Sequence, residues 1–154
     1  PHAVKVPRGL TQGRSAARHP YDFSFSGVKT AVARWLEEQS ALGNGIPVDD
    51  VCASLADSVA AVLADKSVQA CKAFSSDTLI VGGGFSANSQ LRAKLAETGA
   101  RNGVDIRIPE LKLCTDNGAM IGMLGVNLIE AGIRPSPPGF SIDSSMPMDR
   151  ICME

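Results

Sequence analysis

Three consecutive glycines, Gly82, Gly83 and Gly84, follow directly after a short apolar run, TLIV, at residues 78–81. Such a run is typical of a buried strand, and the residues after the glycines take up helical spacing. Glycine lets backbone N–H groups come close to an anion, and a helix N-terminus adds partial positive charge. The pattern predicts a loop that binds the phosphate or ribose of a nucleotide. Glycines that serve only a tight strand-to-helix turn would give the same spacing.

Two polar side chains stand at predicted helix starts, and each has two possible roles. Asn88 can cap the helix after the glycines or bind a sugar or carbonyl group, and its spacing favours the cap. Asp116 can cap the last helix, as can Thr115, or it can ligate a metal ion. One carboxylate cannot hold a metal alone. Cys114 is expected to be a buried thiol and not a nucleophile, because no histidine is near it in sequence.

The glycine segment also fits a different class of protein. Gly82-x-Gly84-x-x-Ala87 matches the fingerprint of dinucleotide-binding domains with alanine in its last place. That motif calls for an acidic residue at the end of the next strand, where it binds a ribose. Asp105 lies inside the next predicted strand and Glu110 comes late, so neither fits well. A dinucleotide-binding oxidoreductase domain is therefore the alternative interpretation.

Strands and helices alternate along the chain, which predicts an α/β fold. Strands are expected at residues 21–25, 78–81 and 104–108. Helices are expected after Gly27, from about 47 to 74, from about 88 to 99, and from Thr115 or Asp116 to about 131. The second and third strands are expected to pair in parallel. The glycines and Asn88 would then lie at the carboxyl edge of the sheet, where α/β proteins bind ligands.

The chain divides by composition into three parts. Residues 1–20 read as an irregular basic arm or an interlobe connector, with no acid and four fixed positive charges, Lys5, Arg8, Arg14 and Arg18. Residues 21–132 form the α/β lobe that carries the predicted nucleotide site. Residues 133–154, rich in Pro, Ser and Met, read as an irregular tail.

Composition indicates a globular protein with reduced thiols. The chain is 44% apolar, 20% charged and has a net charge of −1, which gives no general attraction to nucleic acid or membrane. Its four cysteines form no C-x-x-C pair, and its two histidines, His2 and His19, lack metal-ligand spacing. No apolar stretch could span a bilayer and no signal peptide is evident, so a cytoplasmic location is expected. The chain begins without Met, so we expect it to be part of a longer protein.

Three blocks resemble one family: FSFSGVKTAV at residues 23–32, VGGGFSANSQLR at 81–92 and LCTDNGAMIG at 113–122. The family is that of the tRNA threonylcarbamoyladenosine transferases, formerly described as O-sialoglycoprotein endopeptidases. The resemblance is to its C-terminal half and implies one lobe of an actin-like/Hsp70/sugar-kinase (ribonuclease H-like) ATPase fold. It also implies a reaction that passes threonylcarbamoyl from its adenylate to the adenosine beside the anticodon of tRNA.

The resemblance implies roles for single residues. Gly82, Gly83 and Gly84 would line ATP or threonylcarbamoyl-adenylate, Asn88 would touch substrate, and Asp116 would be one ligand of an iron or zinc ion. The family's two metal histidines, spaced H-x-x-x-H, belong to the N-terminal lobe, which this sequence does not contain. The chain alone is therefore expected to be inactive.

The resemblance also implies partners. They are tRNA, other proteins of the threonylcarbamoyladenosine-forming complex, and the N-terminal lobe. The basic arm could contact tRNA phosphates, but a solvated connector is the favoured explanation of its charges. A non-catalytic scaffold module of the same complex is a further alternative.

Overall fold

Helices make up most of the computed structural model, which describes residues 4–11, 13–139, 141, 144 and 145. The helices are α1 (Gly13–Arg18), α2 (Ser26–Ala41), α3 (Val48–Ala73), α4 (Ser89–Asn102) and α5 (Gly118–Glu130). The strands are β1 (Thr78–Ile80) and β2 (Asp105–Arg107), and short 3-10 turns lie at Gly84–Ala87 and Leu111–Leu113. The predicted α/β class is confirmed.

Within the residues that the structure describes, the sheet consists of one parallel pair of strands. β1 and β2 run in the same direction with Thr78 opposite Asp105 and Ile80 opposite Arg107. The backbone N–H of Val81 continues the ladder by donating to Arg107 O at 2.9 Å. α4 supplies the crossover that a parallel connection needs. The parallel pairing predicted from the sequence is confirmed, and the three glycines follow the carboxyl end of β1.

The core lies where α3 and α4 pack on each other and on the sheet. Alanines on α3 permit close approach of α4, whose leucines fill the space between them. The two buried clusters comprise Ala60, Ala64, Leu91 and Leu95 in one, and Val68, Cys71 and Val104 in the other. Leu79 of β1 and Ile106 of β2 pack against both clusters. This packing fixes the carboxyl end of β1 against the start of α4.

Residues 21–25 lie within the described part of the chain but form no strand, so that prediction was wrong. The alternation of aromatic and polar residues needs a neighbouring strand to bind its backbone. Here Lys66 of α3, only 5% exposed, binds the backbone instead. Its Nζ donates to Asp22 O at 2.7 Å and to His19 O at 3.3 Å.

The basic arm is less irregular than the sequence indicates, because it contains helix α1. Its described residues also contact α3. Ser58 Oγ donates to Pro7 O at 3.2 Å, and Arg8 lies 3.6 Å from the carboxylate of Asp65. The arm is therefore held along α3 by backbone and side-chain contacts. Its assignment as an arm or interlobe connector stays a prediction.

The chain divides into two compact units, Pro1–Cys114 and Thr115–Glu154. The second unit contains α5, whose apolar side chains are largely exposed. Of the predicted tail, residues 133–139, 141, 144 and 145 are described and form no helix or strand, while the remainder lies outside the described residues. So do His2 and Cys152. None of the helices in the described ranges is long and apolar enough to cross a bilayer.

Candidate functional site

The glycine loop, residues 82–84, leads from β1 into a 3-10 turn that the sequence did not predict, and α4 begins at Ser89, close to its predicted start at about residue 88. Ser86 holds this turn: its Oγ donates to Gly83 O at 2.6 Å, and its backbone N–H donates to the same oxygen at 3.0 Å. Ser86 is almost fully buried, at 1% exposure. The glycines themselves are exposed. Anion binding at this loop would therefore use glycine N–H groups more than the N-terminus of α4.

Gly83 has a backbone conformation that side chains do not tolerate. Its φ of +88° and ψ of 165° fall in a region that is essentially restricted to glycine. Gly82 and Gly84 do not have positive φ values. A Cβ built at any of the three would meet no atom of the described structure within 4 Å. The loop thus presents open backbone to its surroundings, as close approach of a ligand requires.

Asn88 caps α4, as its spacing predicted. Its Oδ1 accepts a hydrogen bond from the backbone N–H of Leu91 at 3.0 Å. The capping hydrogen bond uses the side-chain oxygen, while the two N–H groups on Nδ2 remain separate donors. Asn88 can therefore cap the helix and still donate to a ligand, so the two roles are compatible.

An apolar cleft of about 200 Å³ adjoins the glycine loop. Gly82 and the half-exposed ring of Phe85 line it on the loop side. Leu91 and Leu95 of α4, both buried, also line it, as does Phe23. An aromatic and aliphatic lining beside polar backbone suits a ligand with one flat apolar part and one anionic or hydroxylated part.

Arg92, which sequence reasoning did not single out, connects the 3-10 turn after the glycines to the loop after β2. Its Nε donates to Ser86 O at 2.7 Å. One of its terminal nitrogens donates to Pro109 O at 2.6 Å and contacts Cys114 Sγ at 3.2 Å. The sequence feature that could have identified Arg92 is its position four residues after Asn88, one turn into the helix.

Cys114 is buried at 2% exposure, as predicted. The cap of α5 differs from the prediction: Asn117 Oδ1 accepts from Met120 N at 3.1 Å, so neither Thr115 nor Asp116 is the cap. Asn117 takes this role because it directly precedes the first helical residue, Gly118. Asp116 is exposed, and its carboxylate is not used in capping.

Asp116 by itself does not constitute a metal site. Within the ranges that the structure describes, no three His, Cys, Asp or Glu side chains are grouped closely enough to hold a metal ion. A divalent ion of the kind that carboxylates bind needs several ligands. Any metal bound by Asp116 would need its remaining ligands from outside the residues that the structure describes.

The dinucleotide interpretation lacks its acidic residue. Asp105 lies at the first position of β2, opposite Thr78, and so at the sheet edge away from the glycine loop. Its carboxylate lies 2.8 Å from Arg107 Nε. Glu110 is 2.9 Å from Lys112 Nζ. Asp105 is therefore not placed to bind a ribose at the loop as that fingerprint requires, and the carboxylate of Glu110 is paired with a lysine two residues further on.

Fold and loop together define an α/β unit with a glycine loop and an apolar cleft at the carboxyl edge of a parallel sheet. The model of the tRNA N6-adenosine threonylcarbamoyltransferase family matches residues 2–123. All three blocks noted in the sequence lie within this match. The chain belongs to the tRNA N6-adenosine threonylcarbamoyltransferase family.

Similar proteins carry the same name. Those of Bifidobacterium adolescentis and Bifidobacterium longum are each 70% identical over 153 residues, covering 99% of this chain and 44% of the relative. The protein of Corynebacterium diphtheriae is 43% identical over 148 residues, covering 96% of this chain and 42% of the relative. The chain thus spans less than half the length of these relatives.

Proposed function

We propose that this chain is the C-terminal part of an acyltransferase that moves threonylcarbamoyl from its adenylate to the adenosine beside the anticodon of tRNA. Family membership over residues 2–123 is the observation that carries the proposal. The parallel sheet with its glycine loop agrees with one lobe of an actin-like ATPase fold. Its roles in the whole enzyme are to bind nucleotide and to complete a site shared with an N-terminal lobe.

The glycine loop and the adjoining cleft are the proposed nucleotide site. The exposed glycines at residues 82–84 offer backbone N–H groups that suit phosphate or ribose oxygens, and the lining of Phe23 and Phe85 suits a base. ATP or threonylcarbamoyl-adenylate is the proposed ligand, with Asn88 Nδ2 as a further donor. The volume of about 200 Å³ is below the roughly 300 Å³ at which typical ligand sites begin. We propose that the N-terminal lobe supplies the remaining walls.

Asp116 is the proposed contribution of this chain to a divalent metal site, with iron or zinc as the ion. Because one carboxylate is too few ligands, histidines of the N-terminal lobe would supply the others. When bound, the metal would supply a positive charge that orients substrate oxygens. The further proposed partners are tRNA and other proteins of the modification complex, in the cytoplasm where tRNA is modified.

The nucleotide site can be tested with one substitution in the full-length protein. Gly82→Val adds a side chain that meets no atom of the described structure within 4 Å of its Cβ, so the fold should be retained. The added methyl groups would occupy space that the ligand needs. We expect the affinity for ATP, measured by calorimetry, to fall at least about tenfold, which corresponds to about 1.4 kcal/mol of binding free energy.

Gly45→Val is the matched control. Gly45 also has open space around its Cβ, has no positive φ, and does not line the cleft. The control should bind ATP as the wild type does. Equal ATP affinity in the wild type and in Gly82→Val would show that the loop is not the nucleotide site.

A further inference from the structure

Arg92 lies between the loop that follows β1 and the loop that follows β2. Its guanidinium reaches three acceptors in two segments: Ser86 O at 2.7 Å in one, and Pro109 O at 2.6 Å and Cys114 Sγ at 3.2 Å in the other. These are hydrogen bonds from a charged donor, which are stronger than neutral ones. A planar guanidinium can serve several acceptors in fixed directions, whereas a lysine ammonium on a flexible stem cannot reproduce that geometry.

On one side, the contacts of Arg92 continue to the glycine loop. Ser86 accepts from Arg92 and in turn donates twice to Gly83 O, from Oγ at 2.6 Å and from its backbone N–H. Ser86 is only 1% exposed, so water competes little for these bonds. The carbonyl of Gly83 is thereby fixed while that residue adopts its glycine-only conformation.

On the other side, the contacts reach the end of the first compact unit. Cys114 is 2% exposed, and its thiol lies 3.4 Å from Glu110 O as well as 3.2 Å from Arg92. Pro109 and Cys114 lie at the two ends of the loop that follows β2. Arg92 therefore holds the loops after both parallel strands in one hydrogen-bonded group.

We propose that Arg92 is a positioning residue: it sets the conformation of the glycine loop, and thereby the affinity for nucleotide, by tying Ser86 to the loop at residues 109–114. This rests on the proposed function, in which residues 82–84 bind ATP or an adenylate. Arg92 acts through Ser86 and Gly83 and does not itself touch the ligand. It differs in this from a residue that only adds stability, whose loss would lower the unfolding temperature and leave the folded site unchanged.

The test compares Arg92→Met and Arg92→Lys with the wild type in the full-length protein. ATP affinity is measured by calorimetry well below each protein's unfolding temperature, so that only folded protein is compared. We expect Arg92→Met to weaken ATP binding about tenfold or more, because the loop would then have to be ordered when the ligand binds. Arg92→Lys should recover only part of the loss. If the Met protein does not fold, the Lys protein carries the comparison.

Arg101→Met is the matched control on the same helix. Arg101 is 61% exposed and contacts Glu97 at 3.9 Å, so its removal makes the same charge change away from the loops. It should bind ATP as the wild type does, and an equal loss in this control would overturn the inference. The inference would also be overturned if Gly82→Val lost ATP affinity while Arg92→Met did not. If Arg92→Met does not fold, the same criterion applies to Arg92→Lys. Failure of the wild type itself to bind ATP would instead overturn the proposed function.

Discussion

Asn88 is the residue at which helix capping and ligand binding can be separated. Its Oδ1 caps α4, and Nδ2 is the proposed donor to substrate. Asn88→Asp keeps an oxygen that caps about as well, but it loses the amide donor and adds a charge. Asn88→Ala loses both, and the loss of the cap should cost about 1 kcal/mol of stability. We expect both variants to bind ATP more weakly, and only the alanine variant to unfold at a clearly lower temperature.

The comparison is made on the full-length protein by calorimetry and thermal unfolding. Ser89→Ala, at the next and exposed position, controls for disturbance at the start of α4. Wild-type ATP affinity in Asn88→Asp would restrict Asn88 to its capping role.

Asp116 is the second residue whose proposed role can be isolated. Its carboxylate does not cap α5, because Asn117 does. Replacing it by Asn should therefore leave the helix start intact and remove only a charged metal ligand. Elemental analysis of the full-length protein should show most of the bound metal lost in Asp116→Asn. Glu130→Gln, a like change at the other end of α5, should retain it. Undiminished metal in Asp116→Asn would remove this residue from the metal site.

At the scale of elements, the packing of α4 on β2 depends on Gly99. An alanine Cβ there would lie 2.8 Å from Val104 O and 2.5 Å from Ile106 Cγ1. Gly→Ala inside a helix ordinarily stabilises by about 1 kcal/mol, but a clash with backbone reverses that sign. We expect Gly99→Ala to lower stability by about 1–3 kcal/mol, the usual cost of overpacking. Thermal unfolding of the full-length protein measures the change.

Gly122→Ala provides the contrast within α5. A Cβ at Gly122 meets no atom of the described structure within 4 Å, so Gly122→Ala should leave the unfolding temperature unchanged or raise it. If Gly99→Ala raised the unfolding temperature as much as Gly122→Ala, that result would contradict the close packing of α4 on β2 at Gly99.

Elements with strong local patterns could be predicted from the sequence. The apolar spacing of α3, the Asn88 cap and the parallel pairing of β1 with β2 needed little information from distant residues. Residues 21–25 could not be predicted in the same way, because Lys66, more than 40 residues away, binds their backbone. The 3-10 turn after the glycines depends on the buried hydroxyl of Ser86. The contacts of Arg92 depend on the tertiary fold, since Pro109 and Cys114 lie 17 and 22 residues from it.

At the scale of the whole molecule, this chain holds only part of the proposed active site. It spans 44% of its Bifidobacterium relatives, and its apolar cleft is small and open. Asp116 has too few neighbouring ligands among the described residues to hold a metal. Under the proposed function, the N-terminal lobe would complete both the nucleotide site and the metal site.

The central claim is that this chain supplies the nucleotide loop of a threonylcarbamoyltransferase. In the most direct measurement, the full-length protein is expressed in a bacterial strain depleted of its own enzyme. The strain provides tRNA and the other proteins of the complex. Nucleosides from the recovered tRNA are quantified by mass spectrometry. The wild type, Gly82→Val, Gly45→Val and this chain alone are compared at matched protein levels.

We expect the wild type and Gly45→Val to restore threonylcarbamoyladenosine in tRNA. Gly82→Val should restore little, because its added side chain occupies the nucleotide space, and this chain alone should restore none. A wild-type protein that accumulates in folded form without restoring the modification would contradict the proposed activity. Full restoration by Gly82→Val would contradict the role of the glycine loop.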